Sequence, residues 1–276
     1  MHPQRNRKNK TALITGAAQG TGFALAEHLA EQGYDLLIVD IQEDKLCQAA
    51  EQLRKNADIE VNCLPLDLSQ LDAAETVYRF CNENQIEVFI LINNAGRFAF
   101  DRIADMAANT FNSILQLHVN TPAKLSKYFG ADMKARQEGY ILFLSSLSAW
   151  MPYPYISLYA STKRFLCTFS RAIHFEFAEY NVGVTTVCPG AVDTDLYELS
   201  DRLRRIARRL GIMIPPDKLA KHALKRMFRK RVTYIPGLFN KVVLPLLLIC
   251  PVRLLTFFYK KLFNSERKVW SLQQRK

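Results

Sequence analysis

Seven short apolar runs, separated by longer stretches with helical spacing, limit what this chain can fold into. They are Thr11–Thr15, Tyr34–Val39, Ile59–Leu64, Glu87–Ile92, Tyr140–Leu144, Gly183–Cys188 and Val232–Ile235. Several are apolar at consecutive positions, as in Leu36-Leu37-Ile38-Val39, which suits a strand covered on both faces. Helical segments are expected over Phe23–Gln32, over Gln42–Asn56, from a Ser69 cap to about Asn84, over about Ala107–Arg136, and again around Tyr159. Strands alternating with helices mean an α/β chain: one doubly wound parallel sheet of about seven strands, with helices on both faces. Ligands of such sheets bind at the carboxyl ends of the strands.

The 276 residues suffice for one large domain with a full core. Residues 1–236 are read as that domain, with a substrate loop at about 195–214. Residues 237–276 are read as an apolar and basic helical extension. The net charge of +11 is uneven: residues 1–201 hold 17 basic and 24 acidic side chains, whereas residues 202–276 hold 20 and 2. The basic character therefore belongs to the C-terminal quarter. The six cysteines (Cys47, Cys63, Cys81, Cys167, Cys188 and Cys250) form no Cys-x-x-Cys pair. That pattern argues against a disulfide framework or a metal site and fits a reducing compartment. Met1–Lys10 lacks the apolar core of a signal peptide, and no stretch reaches the ~18 apolar residues of a membrane span. A cytoplasmic location follows as the expectation.

The polar constellations fall where the strands end. The first strand runs into Thr15-Gly16-Ala17-Ala18-Gln19-Gly20-Thr21-Gly22. Glycines at a strand-to-helix turn let backbone approach a pyrophosphate, and the helix start offers free N–H groups. Asp40 closes the second strand, where a carboxylate can accept ribose hydroxyls and would repel a 2′-phosphate. The alternative for Asp40 is a helix cap. Asp67 and Leu68 follow the third strand, where an adenine edge could lie; a simple loop acid is the competing reading. Asn93-Asn94-Ala95-Gly96 ends the fourth strand, and Asn120 sits in the helical region beyond. There it could bond a backbone carbonyl and kink the helix, or hold a water near the site. Ser146 follows the fifth strand by two residues. Tyr159 and Lys163 are four apart, so on a helix they share a face. An ammonium beside a phenol favours the phenolate and tunes it to exchange a proton with a carbonyl or alcohol oxygen. The sixth strand ends in Pro189-Gly190-Ala191-Val192-Asp193-Thr194.

This ordered set, from about Lys10 to Tyr197, resembles the short-chain dehydrogenase/reductase family. The match rests on Thr15 to Gly22, Asn93 to Gly96, Asn120, Ser146, Tyr159-x-x-x-Lys163 and Pro189-Gly190-x-Val192-x-Thr194. The resemblance implies a Rossmann-like fold and a nicotinamide dinucleotide. Gly16, Gln19, Gly20, Thr21, Gly22, Asp40, Asp67, Leu68, Asn94, Ala95, Gly96, Pro189, Gly190, Val192 and Thr194 would bind it. It also implies that Tyr159 is the general acid/base, that Lys163 bonds the ribose and lowers the Tyr159 pKa, that Ser146 polarises the substrate oxygen and that Asn120 completes a proton relay through water. Thr21 stands where relatives commonly carry Ile. Asp40 favours NAD(H) and leaves NADP(H) open.

The expected activity is interconversion of a ketone and a secondary alcohol, on an apolar substrate of lipid, acyl or sterol type. The alternatives are a dinucleotide-binding sensor or membrane-associated protein without a metabolic role, and a nucleotide-sugar epimerase or dehydratase, against which the glycine spacing argues. Relatives commonly pair through long helices, so a homodimer or homotetramer is expected. The Arg-rich stretch Arg202–Leu210 suits a solvated helix face, a phosphate or acyl-carrier partner, or an anionic membrane surface, and the apolar runs Val242–Val252 and Leu254–Tyr259 suit a lid, an oligomer contact or peripheral membrane contact. No metal and no nucleic acid are expected.

Overall fold

The computed structural model describes residues 10–150, 154–193, 213–237, 240 and 244. The strands in chain order are β1 (Thr11–Thr15), β2 (Asp35–Asp40), β3 (Val61–Pro65), β4 (Val88–Asn93), β5 (Gly139–Leu144), β6 (Val182–Val187), β7 (Ala191–Val192), β8 (Met213–Ile214) and β9 (Thr233–Tyr234). The helices are α1 (Gly20–Ala30), α2 (Glu43–Asn56), α3 (Ala73–Glu83), α4 (Ala108–Leu115), α5 (Thr121–Arg136), α6 (Ser157–Ala178) and α7 (Pro216–Phe228). Seven strands form one parallel sheet in the order β3-β2-β1-β4-β5-β6-β9, while β7 and β8 pair separately. This is the Rossmann-like architecture expected from the strand–helix alternation.

Consecutive strand residues face opposite layers. Ala12, Ile14, Leu36 and Ile38 pack with Leu25 and Leu29 of α1, Leu46 and Leu53 of α2, and Leu219 and Leu224 of α7. Leu13, Leu37 and Val39 pack on the other face with Val77 of α3, Phe129 of α5 and Leu166 of α6. Two cores, one on each face, explain why the strands read as unbroken apolar runs. The order reverses between β1 and β4, which are nevertheless adjacent (Leu13 opposite Leu91). The loops leaving these strands diverge to opposite faces and open a crevice.

Two local expectations are corrected. Ser69 does not cap a helix: its hydroxyl donates to Asp67 Oδ1 at 2.7 Å, as does its N–H at 2.9 Å. That side-chain turn competes with helix, and α3 begins only at Ala73. The long helical region breaks into α4, a π-helical turn over Gln116–Asn120, and α5. Asn120 does not cause the break, because its amide donates to the Gln116 side chain at 2.9 Å rather than to a backbone carbonyl. Pro122 does: it has no N–H to give the carbonyl of His118, and its ring crowds that carbonyl. The N–H of Thr121 reaches back to Gln116 O instead, the wider π spacing.

Among the described residues no helix is long and apolar enough to cross a membrane. The Arg-rich stretch, most of the substrate loop and nearly all of the C-terminal extension lie outside the described residues.

There is no room for a side chain between α1 and the turn that follows β1. A Cβ on Gly22 would stand 2.0 Å from Gly16 O. Gly22→Ala should therefore lower stability by about 1–3 kcal/mol, the usual cost of overpacking. Urea denaturation measures it; an unshifted midpoint at constant slope would show that α1 can retreat freely from the turn.

Candidate active site

A cleft of about 790 Å³ lies over the carboxyl ends of β1 to β4. Most of its walls are residues at or just after those strand ends: Gly16, Gln19 to Gly22, Asp40 to Gln42, Leu66 to Ser69 and Asn94 to Phe98. Gly16 and Gly20 have positive φ (68° and 61°), which a side chain would strain. A Cβ on Gly16 would also meet Ala95 Cα at 2.8 Å. The turn is fastened to β4 by Asn94, whose amide donates to Thr15 O and Gly16 O, both at 2.9 Å. Thr15 Oγ1 answers by accepting the N–H groups of Asn94 (3.0 Å) and Ala95 (3.1 Å). The side chain of Asn94 is thus used to hold the turn.

Asp40 is buried at the edge of this cleft. Its carboxylate accepts Ala18 N–H and Gln42 N–H, each at 3.1 Å. It ties the glycine turn to β2 and fulfils part of the capping alternative, while each oxygen keeps a lone pair for a hydroxyl. Lys45, which the sequence reading passed over, reaches across from α2 to Gln19 Oε1 at 3.0 Å. Burial alone would push the Asp67 carboxyl up, but the Ser69 N–H and hydroxyl and the Gln70 amide hold it below the usual carboxylate range. An open glycine-rich cradle, a carboxylate at the second strand and a helix starting at the turn fit a dinucleotide.

A smaller cavity of about 100 Å³ shares Thr21, Asn94, Gly96 and Arg97 with this cleft. Ser146, Tyr159, Lys163, Pro189, Gly190 and Val192 line it. Tyr159 is 8% exposed and is held by edge-on rings: Phe98 at 5.2 Å and His118 at 5.7 Å between centroids. Lys163 Nζ stands 5.7 Å from the Tyr159 ring centroid and donates to Leu144 O at 2.9 Å. Ser146 Oγ accepts from Ser148 N–H (3.1 Å) and lies 2.9 Å from Ser148 Oγ. Beneath them Ser145 donates to Lys163 O at 2.7 Å and touches Cys167 Sγ at 3.1 Å. Pro189 O accepts Leu147 N–H at 2.7 Å, closing the cavity floor. Ser146, Tyr159 and Lys163 therefore converge as their spacing implied.

Two sequence-derived residues do not join them. Thr194 lies outside the described residues. Asn120 is exposed, lines neither cavity, and spends its amide on Gln116. The residue of that turn facing the site is His118, 1% exposed, with its Nε2 2.9 Å from Arg97 N and its Nδ1 3.0 Å from Thr162 Oγ1. No sequence pattern marked His118, because its place shows only in contacts with Arg97 and Thr162, 21 and 44 residues away.

Lys163 is fully enclosed, and burial lowers its pKa from 10.5 to about 8, with Cys167 and Cys188 opposing. The unfolded chain then holds more protons than the folded one between these values, so stability rises with pH across that window. Between about pH 7 and about pH 9.5 the protein should gain roughly 2 kcal/mol relative to Lys163→Met, which lacks the titrating group. Paired urea titrations test it; parallel pH dependences would mean that Lys163 is not desolvated.

Known proteins share this frame. The family profile described as short chain dehydrogenase matches residues 10–203. A very-long-chain 3-oxoacyl-CoA reductase of Mus musculus is 28% identical over 198 residues, 70% of this chain and 62% of that protein. The match to this relative leaves more than a third of its length uncovered. A 7beta-hydroxysteroid dehydrogenase of Clostridium sardiniense is 25% identical over 237 residues, 86% of this chain and 89% of that one. The crystal structure of L-sorbose reductase from Gluconobacter frateurii, complexed with NADPH and L-sorbose, superposes with a TM-score of 0.75 at 25% identity, over 84% of this chain and 96% of that one. The matched span carries all the described lining of the two cavities except Leu219, and the chain belongs to the short-chain dehydrogenase family.

Proposed function

We propose that this protein interconverts a ketone and a secondary alcohol, with Tyr159 as the proton donor and acceptor. The observation that carries this reading is the convergence of Ser146, Tyr159 and Lys163 on a cavity continuous with the glycine-rich cleft. The bound nicotinamide would supply or accept the hydride at the substrate carbon. Ser146 hydrogen-bonds the substrate oxygen and orients it toward Tyr159. Tyr159 moves the proton at that oxygen, and the Lys163 cation favours its phenolate form. Edge-on packing by Phe98 and His118 keeps water from the phenol ring. An apolar substrate, acyl or sterol in type, is supported by the names of the mouse and Clostridium relatives and by the apolar C-terminal residues.

NAD(H) is the cofactor we favour, because the buried Asp40 carboxylate would meet a 2′-phosphate. Lys45 beside Gln19 supports the second reading, NADP(H), by bringing a cation to the same end of the cleft. Phe175, 74% exposed on α6, suits pairing of two copies through their long helices.

Thermal shift with NADH and NADPH at matched concentrations separates the cofactors, since binding to the folded state raises Tm by mass action. The larger shift is expected with NADH; a larger NADPH shift that Lys45→Ala abolishes would transfer the assignment to NADP(H). Tyr159→Phe should retain the cofactor shift yet lose about 10²–10⁴-fold in kcat on 3-oxoacyl thioesters or steroid ketones. Turnover within a few-fold of wild type would refute the assignment of Tyr159.

A further inference from the structure

We propose that His118, rather than Asn120, is the residue of the π turn that serves the catalytic centre, and that it does so as a positioning residue. It ties the loop after β4 to the helix that carries Tyr159. The inference rests on the role given to Tyr159 above, and it is read from the hydrogen bonds around the imidazole.

Those bonds admit one arrangement. Arg97 N–H can only donate, so His118 Nε2 accepts it, at 2.9 Å. Nδ1 then carries the proton and donates to Thr162 Oγ1 at 3.0 Å. The Thr162 hydroxyl donates in turn to the backbone carbonyl of Tyr159 at 2.8 Å. One neutral ring therefore joins three pieces of the site: Arg97, which lines both cavities, α6 through Thr162, and the Tyr159 backbone. The ring edge also meets the Tyr159 ring at 5.7 Å and 77°. Gly96 leaves room for it, since a Cβ there would stand 3.3 Å from His118 Nε2 and 3.4 Å from Lys163 Nζ.

Chemistry keeps the arrangement fixed. Burial first, and the nearby Lys163 cation second, hold the imidazole pKa well below 6.5. The ring stays neutral over the working range, so its acceptor and donor do not exchange roles. Asn120, two residues on, points elsewhere because residues two apart on a helix face nearly opposite sides, and its amide goes to Gln116.

Variants of the full chain test this. His118→Phe keeps a ring against Tyr159 and removes both hydrogen bonds. His118→Asn keeps an acceptor and a donor on one amide. Asn120→Ala removes the exposed amide. Each is assayed for kcat and KM with a medium-chain 3-oxoacyl-CoA and a steroid ketone, for the dissociation constants of NADH and NADPH, and for hydrogen exchange across 94–100 and 159–163. His118→Phe should lose about 30-fold or more in kcat and exchange faster at Arg97, with cofactor affinity within about 3-fold. His118→Asn should recover at least about 5-fold of that loss, and Asn120→Ala should change kcat by less than about 3-fold. The proposal is overturned if Asn120→Ala costs more than His118→Phe, if His118→Asn is no better than the phenylalanine variant, or if exchange at Arg97 is unaltered. Should His118→Phe fail to fold by circular dichroism, Thr162→Val replaces it, with the same losses expected; unchanged kcat and exchange there overturn the proposal. Should the wild type reduce neither ketone, the proposed activity has failed separately, and the exchange measurements alone decide for or against His118.

Discussion

The cleft depends on a short set of hydrogen bonds between two strands that are neighbours in space and distant in sequence. Asn94 donates to the carbonyls of Thr15 and Gly16, and Thr15 accepts the N–H groups of Asn94 and Ala95. Buried backbone groups must be paired, and this set pairs them where the sheet order reverses. Because the bonds hold the glycine turn down, α1 begins directly at the mouth of the crevice. A side chain at Gly16 or Gly22 would collide with backbone there, so the turn has no alternative packing.

Lys163 supplies a second constraint. A buried ammonium is costly unless it is hydrogen-bonded. Here the cost is offset by the Leu144 carbonyl at the end of β5. The same bond fixes α6 against the strand that delivers Ser146. Tyr159, one turn earlier, is then aimed into the cavity between Phe98 and His118. The placing of Tyr159 follows from where the cation can be satisfied.

Much of this was legible in the residue order. Unbroken apolar runs announced strands covered on both faces, and the alternation with helices announced the parallel sheet. The spacing of Tyr159 and Lys163 placed them on one face of a helix, which holds in α6. The misreadings share a cause. Ser69 was read as a cap because its type suits one, but Asp67 lay two residues away and captured it. Asn120 was carried over from the resemblance, but its side chain is exposed and its amide goes to Gln116, while His118 two residues earlier is buried against Tyr159. Lys45 meets Gln19 across 26 residues of sequence, a contact that no local pattern announces.

The sequence by itself determined the fold class, the strand ends that carry the site, and the tyrosine–lysine pair, because each depends on local periodicity and residue chemistry. Only the tertiary structure decided that the two cavities share Thr21, Asn94, Gly96 and Arg97 as lining, that Lys163 is enclosed, and that His118 links Arg97 to α6. These are contacts between segments tens of residues apart. They arise from burial and hydrogen-bond satisfaction across elements, which no local pattern encodes.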